Sequence, residues 1–266
     1  MARGSTPGHG GRFVSGHVAG IDFRPHRLRA LWNSTLGKKY VVAITGVLLA
    51  GFVIAHMLGN LKAIEGPGAG HASIDRYAHF LRTLGSPVLP HDFALWVERA
   101  ILIAALILHV VAITQLWRRN RAAKPEHGPR IRSTISARTV RLTGVLILAF
   151  VVFHILHFTT RTIHPSRMAN GAVYANAYGA FHKWWLVVIY VGAMLLLGLH
   201  LNHGLWSGTQ TAGIDNPDRN WFWRRLATTV TVLVVAGFIL VPVLFAFDAL
   251  PKPVTQVAHV GGVTHR

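Results

Sequence analysis

Long apolar segments separated by polar stretches dominate this chain. Five of them cover approximately residues 40–61, 93–117, 142–160, 184–206 and 226–247. Each is close to the roughly 20 residues that a helix needs to cross a bilayer. Backbone groups in lipid must be hydrogen-bonded within their own segment, so each segment is predicted to be helical. The pattern therefore predicts an all-α membrane protein with five transmembrane helices in a bundle.

Polar sequence flanks the apolar part of the chain. Residues 1–30, rich in Gly and Arg, are predicted to form a flexible cytoplasmic tail, and residues 251–266 a C-terminal tail. Residues 31–250 then form the five-helix domain. No short apolar segment with a small-residue cleavage site precedes the first span, so a cleaved signal peptide is not expected. Residues 74–82, between spans 1 and 2, are predicted to form an amphipathic surface helix.

Lys and Arg are unevenly distributed between the connecting segments. Eighteen lie before span 1, between spans 2 and 3 or after span 4, whereas eight lie in the segments on the other side. Because cytoplasmic loops carry the excess of positive charge, the N-terminus is predicted to be cytoplasmic and the C-terminus outside. An interfacial aromatic belt is expected to place tryptophans near the span ends, as found for Trp96, Trp117, Trp184, Trp185, Trp206, Trp221 and Trp223.

The composition limits the chemistry open to the chain. Apolar residues make up 52% and charged residues 14%, which is too apolar for an ordinary soluble domain. The sequence contains no cysteine, which excludes disulfides, thiolate metal sites, cysteine-bound iron–sulfur clusters and covalent heme attachment. The membrane topology accounts for the net charge of +18, so no nucleic-acid partner is expected.

Histidine is abundant, with 17 copies, and ionisable residues within a membrane are costly and often functional. The histidines within the spans are His56, His109, His154, His157, His200 and His203. Spans 1 and 3 run outward in the predicted topology, which places His56 and His154 in their outer halves. Spans 2 and 4 run inward, which places His109 and His200 toward the cytoplasm.

These depths match the requirements of heme. A b-type heme between helices takes an axial nitrogen from each of two facing helices at equal depth. The sequence offers this twice, with His56 and His154 at an outer (distal) level and His109 and His200 at an inner (proximal) level. A lone intramembrane histidine is more often a packing residue, but four at matched depths predict two hemes b with these residues as iron ligands.

A spacing shared by spans 1 and 3 supports the outer pair. Gly46 precedes His56 by ten residues, Gly144 precedes His154 by ten, and each glycine follows a threonine. A glycine at this position is expected to let a flat macrocycle approach the helix backbone. Glycine also serves helix packing in membranes, so this observation is weak on its own.

Other polar residues near the ligands have a less defined role. His157 and His203 each lie three residues after a ligand, on nearly the same helix face. They are expected to contact heme propionates, quinone or lipid headgroups; the alternative is that either one is the iron ligand in place of its neighbour. Cations near the span ends usually fix topology, but they also suit propionates. The candidates for propionate or quinone contacts are Lys38, Lys39, Arg141 and Arg161.

The residues in these segments resemble the cytochrome b subunit of succinate:quinone oxidoreductases (succinate dehydrogenase/fumarate reductase), of the single-chain, five-helix, diheme type. The resemblance covers about residues 31–250. The matching segments are Lys38-Lys39-Tyr40, Thr45-Gly46, His56-Met57-Leu58-Gly59-Asn60-Leu61, Thr143-Gly144, His154 and His200-Leu201-Asn202-His203-Gly204-Leu205-Trp206.

The resemblance implies a function and partners. The family binds its distal heme from spans 1 and 3 and its proximal heme from spans 2 and 4, which agrees with the depth argument. It passes electrons between an iron–sulfur subunit and quinone (menaquinone or ubiquinone), while a flavoprotein subunit holds FAD and the succinate site. A bacterial cytoplasmic membrane location is implied. Some menaquinol-linked members carry a glutamate where this chain has Gly198, so their proton path is not expected here.

Two other functions fit part of the pattern. A cytochrome b serving another quinone-linked dehydrogenase or a hydrogenase would share bis-histidine hemes, but the pairing of spans 1 with 3 and 2 with 4 is not expected of it. A heme-free proton or solute transporter would use the histidines as a relay. It predicts a colourless protein.

Overall fold

The structure is a computed structural model that describes residues 25–67, 72–123, 135–163 and 171–253, without the side chains of residues 25–28 and 135–138. Residues 1–24 and 254–266, most of the two predicted tails, lie outside the described part. Within the described ranges the chain is helical, apart from turns and an isolated β-bridge between Pro67 and Ala72.

Five long helices and several short ones make up this fold. The long helices are α2 (Thr35–Leu61), α4 (Phe93–Ala122), α5 (Ile135–His154), α7 (Trp184–Thr211) and α8 (Asn220–Ala246). The short ones are α1 (Pro25–Asn33), α3 (Ser73–Thr83) and α6 (Val173–Phe181), with a 3₁₀ helix at Lys62–Glu65 and a π-helical turn at Ile155–Thr159. The all-α class is confirmed, and α3 confirms the predicted surface helix. The helix α1 crosses the boundary predicted at residue 30.

The five long helices are long and apolar enough to cross a membrane. Large apolar side chains cover much of their outer surface, for example Val47 on α2, Val145 on α5 and Leu233 on α8, each more than 60% exposed. Such a surface is unfavourable in water and suits lipid. The protein is therefore a multi-pass membrane protein.

The long helices extend beyond the predicted spans at one end only. At the predicted outer side they agree with the prediction to within one residue when the π-helical turn at Ile155–Thr159 is counted with α5, whereas at the predicted cytoplasmic side they run five to seven residues further. These extensions carry basic side chains, including Lys38, Arg119 and Arg224. Hydropathy falls where the side chains become polar, but the backbone hydrogen bonds of a helix continue into the headgroup region. The apolar pattern therefore underestimates helix length on the basic side.

The helix α7 lies at the centre of the bundle and packs against α2, α5 and α8. The helix α2 also packs against α4 and α8. A small apolar cluster joins α2, α7 and α8 through Ala50, Met57, Leu201 and Val234. At the basic end, Arg119 of α4 donates a hydrogen bond to the carbonyl of Asn33, which ties α1 to the bundle.

The end of the bundle that is predicted to be the outer one is the better packed of the two. A larger cluster there combines α3, α6 and the 3₁₀ helix with the ends of α7 and α8, and Tyr174 and Phe245 are buried within it. Asp75 of α3 accepts a hydrogen bond from the backbone N–H of Tyr174 at 2.9 Å. Tyr178 and His182, on and just after α6, both bond one carboxylate oxygen of Asp248. These contacts form a cap over one end of the helices.

Candidate functional site

The structure brings the two predicted outer histidines together. His56 of α2 and His154 of α5 have ring centres 5.8 Å apart, with ring planes nearly perpendicular at 80°. Both are half-buried. Phe52 stacks on His56, and Phe238 of α8 lies 5.9 Å from it. The outer pair thus faces inward among aromatic side chains.

The two predicted inner histidines also face each other. His109 of α4 and His200 of α7 have ring centres 6.5 Å apart and ring planes inclined by 59°. Both are half-buried. The two pairs use four different helices, α2 with α5 and α4 with α7. Each pair therefore faces across two helices at one depth of the bundle.

The spacing within each pair fits a metal held between two axial imidazoles. A metal–imidazole bond is about 2 Å long, so two such bonds separate the ring centres by about 6 Å. Among the described residues, no group of three or more His, Cys, Asp or Glu side chains converges on one point. A metal between these pairs would need additional ligands of its own, as heme iron has in its macrocycle. The ligand role of the four histidines remains a prediction.

Threonine hydroxyls orient the two inner histidines. Thr45 Oγ1 donates to the carbonyl of Val41 at 2.7 Å and lies 3.1 Å from Nδ1 of His109. Since its proton is already used, the hydroxyl oxygen is placed to accept a hydrogen bond from Nδ1–H. This tautomer leaves Nε2 of His109 as the nitrogen with a free lone pair, which is the form that a metal requires.

The same arrangement recurs in the other half of the bundle. Thr143 Oγ1 donates to the carbonyl of Val140 at 3.0 Å and lies 3.4 Å from Nδ1 of His200. His109 and His200 also interact with the backbone carbonyls of Val42 and Val140. Two sequence-distant helix pairs therefore present their inner histidines in the same way.

The Thr-Gly pairs lie beside the inner histidines, whereas the sequence spacing had linked them to the outer pair. A Cβ atom at Gly46 would lie 3.5 Å from Cε1 of His109, and one at Gly144 would lie 3.3 Å from Cε1 of His200. Ten residues of helix span about 15 Å, so a glycine ten residues before an outer histidine lies near the inner pair. The ten-residue spacing between each glycine and the following histidine thus corresponds to the distance between the inner and outer histidine pairs.

Tyr190, which the sequence does not single out, joins the outer pair to a third histidine, His157. Its hydroxyl lies 3.3 Å from Nδ1 of His154 and 2.8 Å from Nδ1 of His157. His157 is fully buried, and it lies in the π-helical turn that follows α5. Such turns are frequent at functional sites. Tyr190 stands in an apolar run of span 4, and no spacing signal separates it from packing residues.

His203 of α7 lies near the inner end of the bundle. Its Nδ1 is buried without a hydrogen-bond partner among the described residues, and so is the indole nitrogen of Trp206 one turn further. Arg224 of α8 lies over the Trp206 ring at 4.1 Å. Buried donors without partners, beside a cation, suit a carboxylate such as a heme propionate.

The four candidate cations are placed at the surface of the bundle or at its ends. Lys38 is buried, donates to the carbonyl of Trp32 and lies 4.5 Å from the centre of its ring. Lys39 is exposed. Arg141 is exposed and lies 5.4 Å from the ring of Trp117. Arg161 follows the π-helical turn with a left-handed backbone, φ 59°. Their contact with propionate or quinone remains a prediction.

Gly198 packs tightly against α8. A Cβ atom there would lie 2.9 Å from Cγ2 of Val235 and 3.6 Å from Cγ2 of Thr231. A glutamate at this position would therefore collide with α8. The position at which a glutamate is absent from this chain is thus a point of close packing between α7 and α8.

A groove of about 410 Å³ opens between α2 and α4 beside the outer pair. Its walls include Gly51, Phe52 and Ala55 of α2, and Ala94 and Glu98 of α4. Phe52 is the ring that stacks on His56. The groove therefore approaches the outer pair from the lipid side.

Comparison of the chain with protein-family models, with curated proteins and with solved structures found no match. The function is therefore inferred from the residues of the site and from the membrane fold.

Proposed function

We propose that this chain is the diheme cytochrome b that anchors a succinate dehydrogenase (complex II) in a bacterial cytoplasmic membrane and passes electrons between its iron–sulfur subunit and quinone. One observation carries the proposal. Two pairs of histidines on four helices face each other with ring centres 5.8 and 6.5 Å apart. That geometry, repeated at two levels of a membrane bundle, suits two bis-histidine hemes b.

The two levels suit electron transfer across the membrane. Their separation of about 15 Å, from the ten-residue helix spacing, is roughly half the thickness of the hydrocarbon core. Two hemes at these levels would supply one-electron ferric/ferrous couples that link the two faces of the membrane.

The chain's own residues prepare the site. Thr45 and Thr143 hold the protons of His109 and His200 on Nδ1, which leaves Nε2 available to iron. Aromatic rings around His56 and His154 exclude water from the outer level. His203 and Trp206 offer buried donors for a propionate at the inner level.

The basic ends of the helices favour docking of the partner subunits at one face. Because the chain has no cysteine, iron–sulfur clusters belong to a partner, and the resemblance assigns FAD and the succinate site to another. A cationic surface attracts and orients an acidic partner. The groove between α2 and α4 gives quinone, menaquinone or ubiquinone, a route from lipid to the outer pair.

The proposal is tested by purifying the tagged full chain from its native membrane in mild detergent, with whatever subunits remain attached. We expect a flavoprotein and an iron–sulfur protein to copurify, and succinate to reduce the heme absorbance and an added quinone analogue. The variant His56→Ala should keep its partners but lose one heme. Reduction by hydrogen or formate in place of succinate would indicate the other quinone-linked enzymes, and a colourless preparation would indicate a transporter.

A further inference from the structure

Tyr190 occupies a defined position behind the outer pair. Its ring contacts Phe150, Phe153 and Phe181 edge-on, with centres 5.1 to 6.1 Å away. Its hydroxyl is the polar group in this aromatic environment that reaches both His154 and His157. Tyr190 itself is 7% exposed. A buried hydroxyl at hydrogen-bond distance from two imidazoles constrains the protons of both.

The direction of these hydrogen bonds follows from the proposed function, on which this inference rests. If Nε2 of His154 binds iron, its proton resides on Nδ1, which then donates to the hydroxyl oxygen of Tyr190. The tyrosine proton is left to donate to Nδ1 of His157, the shorter contact at 2.8 Å. The result is an ordered chain from His154 through Tyr190 to His157.

Such a chain acts on the electronic properties of the ligand. A group that accepts a hydrogen bond from Nδ1–H of a metal-bound histidine fixes the imidazole ring and makes it a stronger electron donor to the metal. Stronger donation favours the ferric over the ferrous iron. Because Tyr190 in turn donates to His157, its oxygen becomes a better acceptor through cooperative polarisation.

We infer that Tyr190 is a positioning residue for the outer heme, and that its hydroxyl, supported by His157, lowers the midpoint potential of that heme through Nδ1 of His154. The inner pair donates the corresponding hydrogen bonds to Thr45 and Thr143 on α2 and α5, so Tyr190 acts on the outer level alone. Tyr190 thus affects the midpoint potential of one of the two hemes.

The test is a redox titration of the heme spectra in the assembled, purified complex, with heme counted separately as the pyridine hemochrome. The potential of the inner heme is identified in His56→Ala, which should retain that heme alone. In Tyr190→Phe, which keeps the aromatic packing, we expect two hemes, a higher potential for the outer heme and an unchanged inner potential. His157→Phe should raise the same potential by a smaller amount.

Tyr178→Phe is the matched control, since it removes a tyrosine hydroxyl that bonds Asp248 outside the bundle. Both potentials should stay unchanged in it. Two hemes with unchanged potentials in Tyr190→Phe, or equal shifts of both potentials, would overturn the inference while leaving the proposed function intact. If Tyr190→Phe loses the outer heme, His157→Phe decides, because an unchanged outer potential there also overturns the inference. A wild-type complex without heme would instead overturn the proposed function and this inference with it.

Discussion

The hydroxyl oxygen of Thr45 lies 3.1 Å from Nδ1 of His109, although the two residues are on different helices and 64 positions apart in the chain. Thr45 is itself buried and anchored to the backbone one turn earlier. The contact selects one tautomer of the imidazole and fixes its ring. In the proposed function, this arrangement prepares His109 as a metal ligand.

We therefore expect Thr45→Val to weaken heme binding at the inner level. Valine has nearly the same shape but cannot accept the proton of His109, and loss of such a partner typically costs about 10- to 100-fold in metal affinity. The rate at which heme passes from the detergent-solubilised protein to apomyoglobin measures this. Thr231→Val is the matched control, since the hydroxyl of Thr231 is buried on α8 and has no hydrogen-bond partner in the part of the chain that the structure describes. Equal heme loss from both variants would contradict the role given to Thr45.

Alanine variants of the four histidines should form two groups according to which heme they lose. His56→Ala and His154→Ala should each lower the heme content from two per chain to one and remove the same heme. His109→Ala and His200→Ala should each remove the other, because a bis-histidine heme that loses one axial ligand is poorly retained. Low-temperature difference spectra and pyridine hemochrome assays identify the missing heme. The pairing would be wrong if His56→Ala and His109→Ala lost the same one.

Gly51 offers a test of the groove between α2 and α4. A Cβ atom there would meet nothing within 4 Å, so a larger side chain enters open space without disturbing the helices. We expect Gly51→Leu to raise the KM for quinone several-fold with both hemes retained. Gly192 of α7, which also has open space around it, gives the control variant Gly192→Leu. Unchanged quinone kinetics in Gly51→Leu would remove the groove from the quinone route.

The outer cap should respond to acid through Asp248. Hydrogen bonds from His182 and then Tyr178 hold the pKa of this carboxyl below its usual value. A carboxyl whose pKa is depressed by folding stabilises the folded state above its unfolded pKa of about 4, and loses that contribution as the pH falls through the folded value. Wild type should therefore unfold at a higher temperature than Asp248→Asn at pH 6.

Thermal unfolding in detergent, measured from pH 6 down to pH 3, checks this expectation. The difference between wild type and Asp248→Asn should narrow as the pH falls below about 4. Asp218→Asn, on the exposed turn before α8, is the control for the loss of a surface carboxylate as such. A difference that stays constant with pH would mean that Asp248 acts through packing alone.

Several features of the fold follow from the sequence because lipid imposes strong rules on it. Segment length and hydropathy locate the predicted outer ends of the spans to within one residue, with the π-helical turn counted as part of the third span, since membrane depth fixes where apolar side chains begin. Constant helical rise places His56 and His154 at one depth and His109 and His200 at another, and the structure brings each pair together.

Other features could not be predicted, because they depend on packing between helices. Tyr190 looks like an ordinary span residue in the sequence. Thr45 stands in a repeated Thr-Gly pair, but only the arrangement of the helices places either hydroxyl beside a histidine. The spacing of Gly46 and His56 was visible, but which level the glycine serves depends on the neighbouring helix α4. The π-helical turn that positions His157 has no apolar periodicity of its own.

The heme content of the wild-type protein tests the central claim most directly. The full chain, purified with its partners, is assayed as the pyridine hemochrome and by its dithionite-reduced minus oxidised spectrum. Two hemes b per chain are the predicted result, because both histidine pairs have the spacing that axial ligation needs. A preparation without heme would contradict the account, since the paired imidazoles would then serve proton transfer or packing.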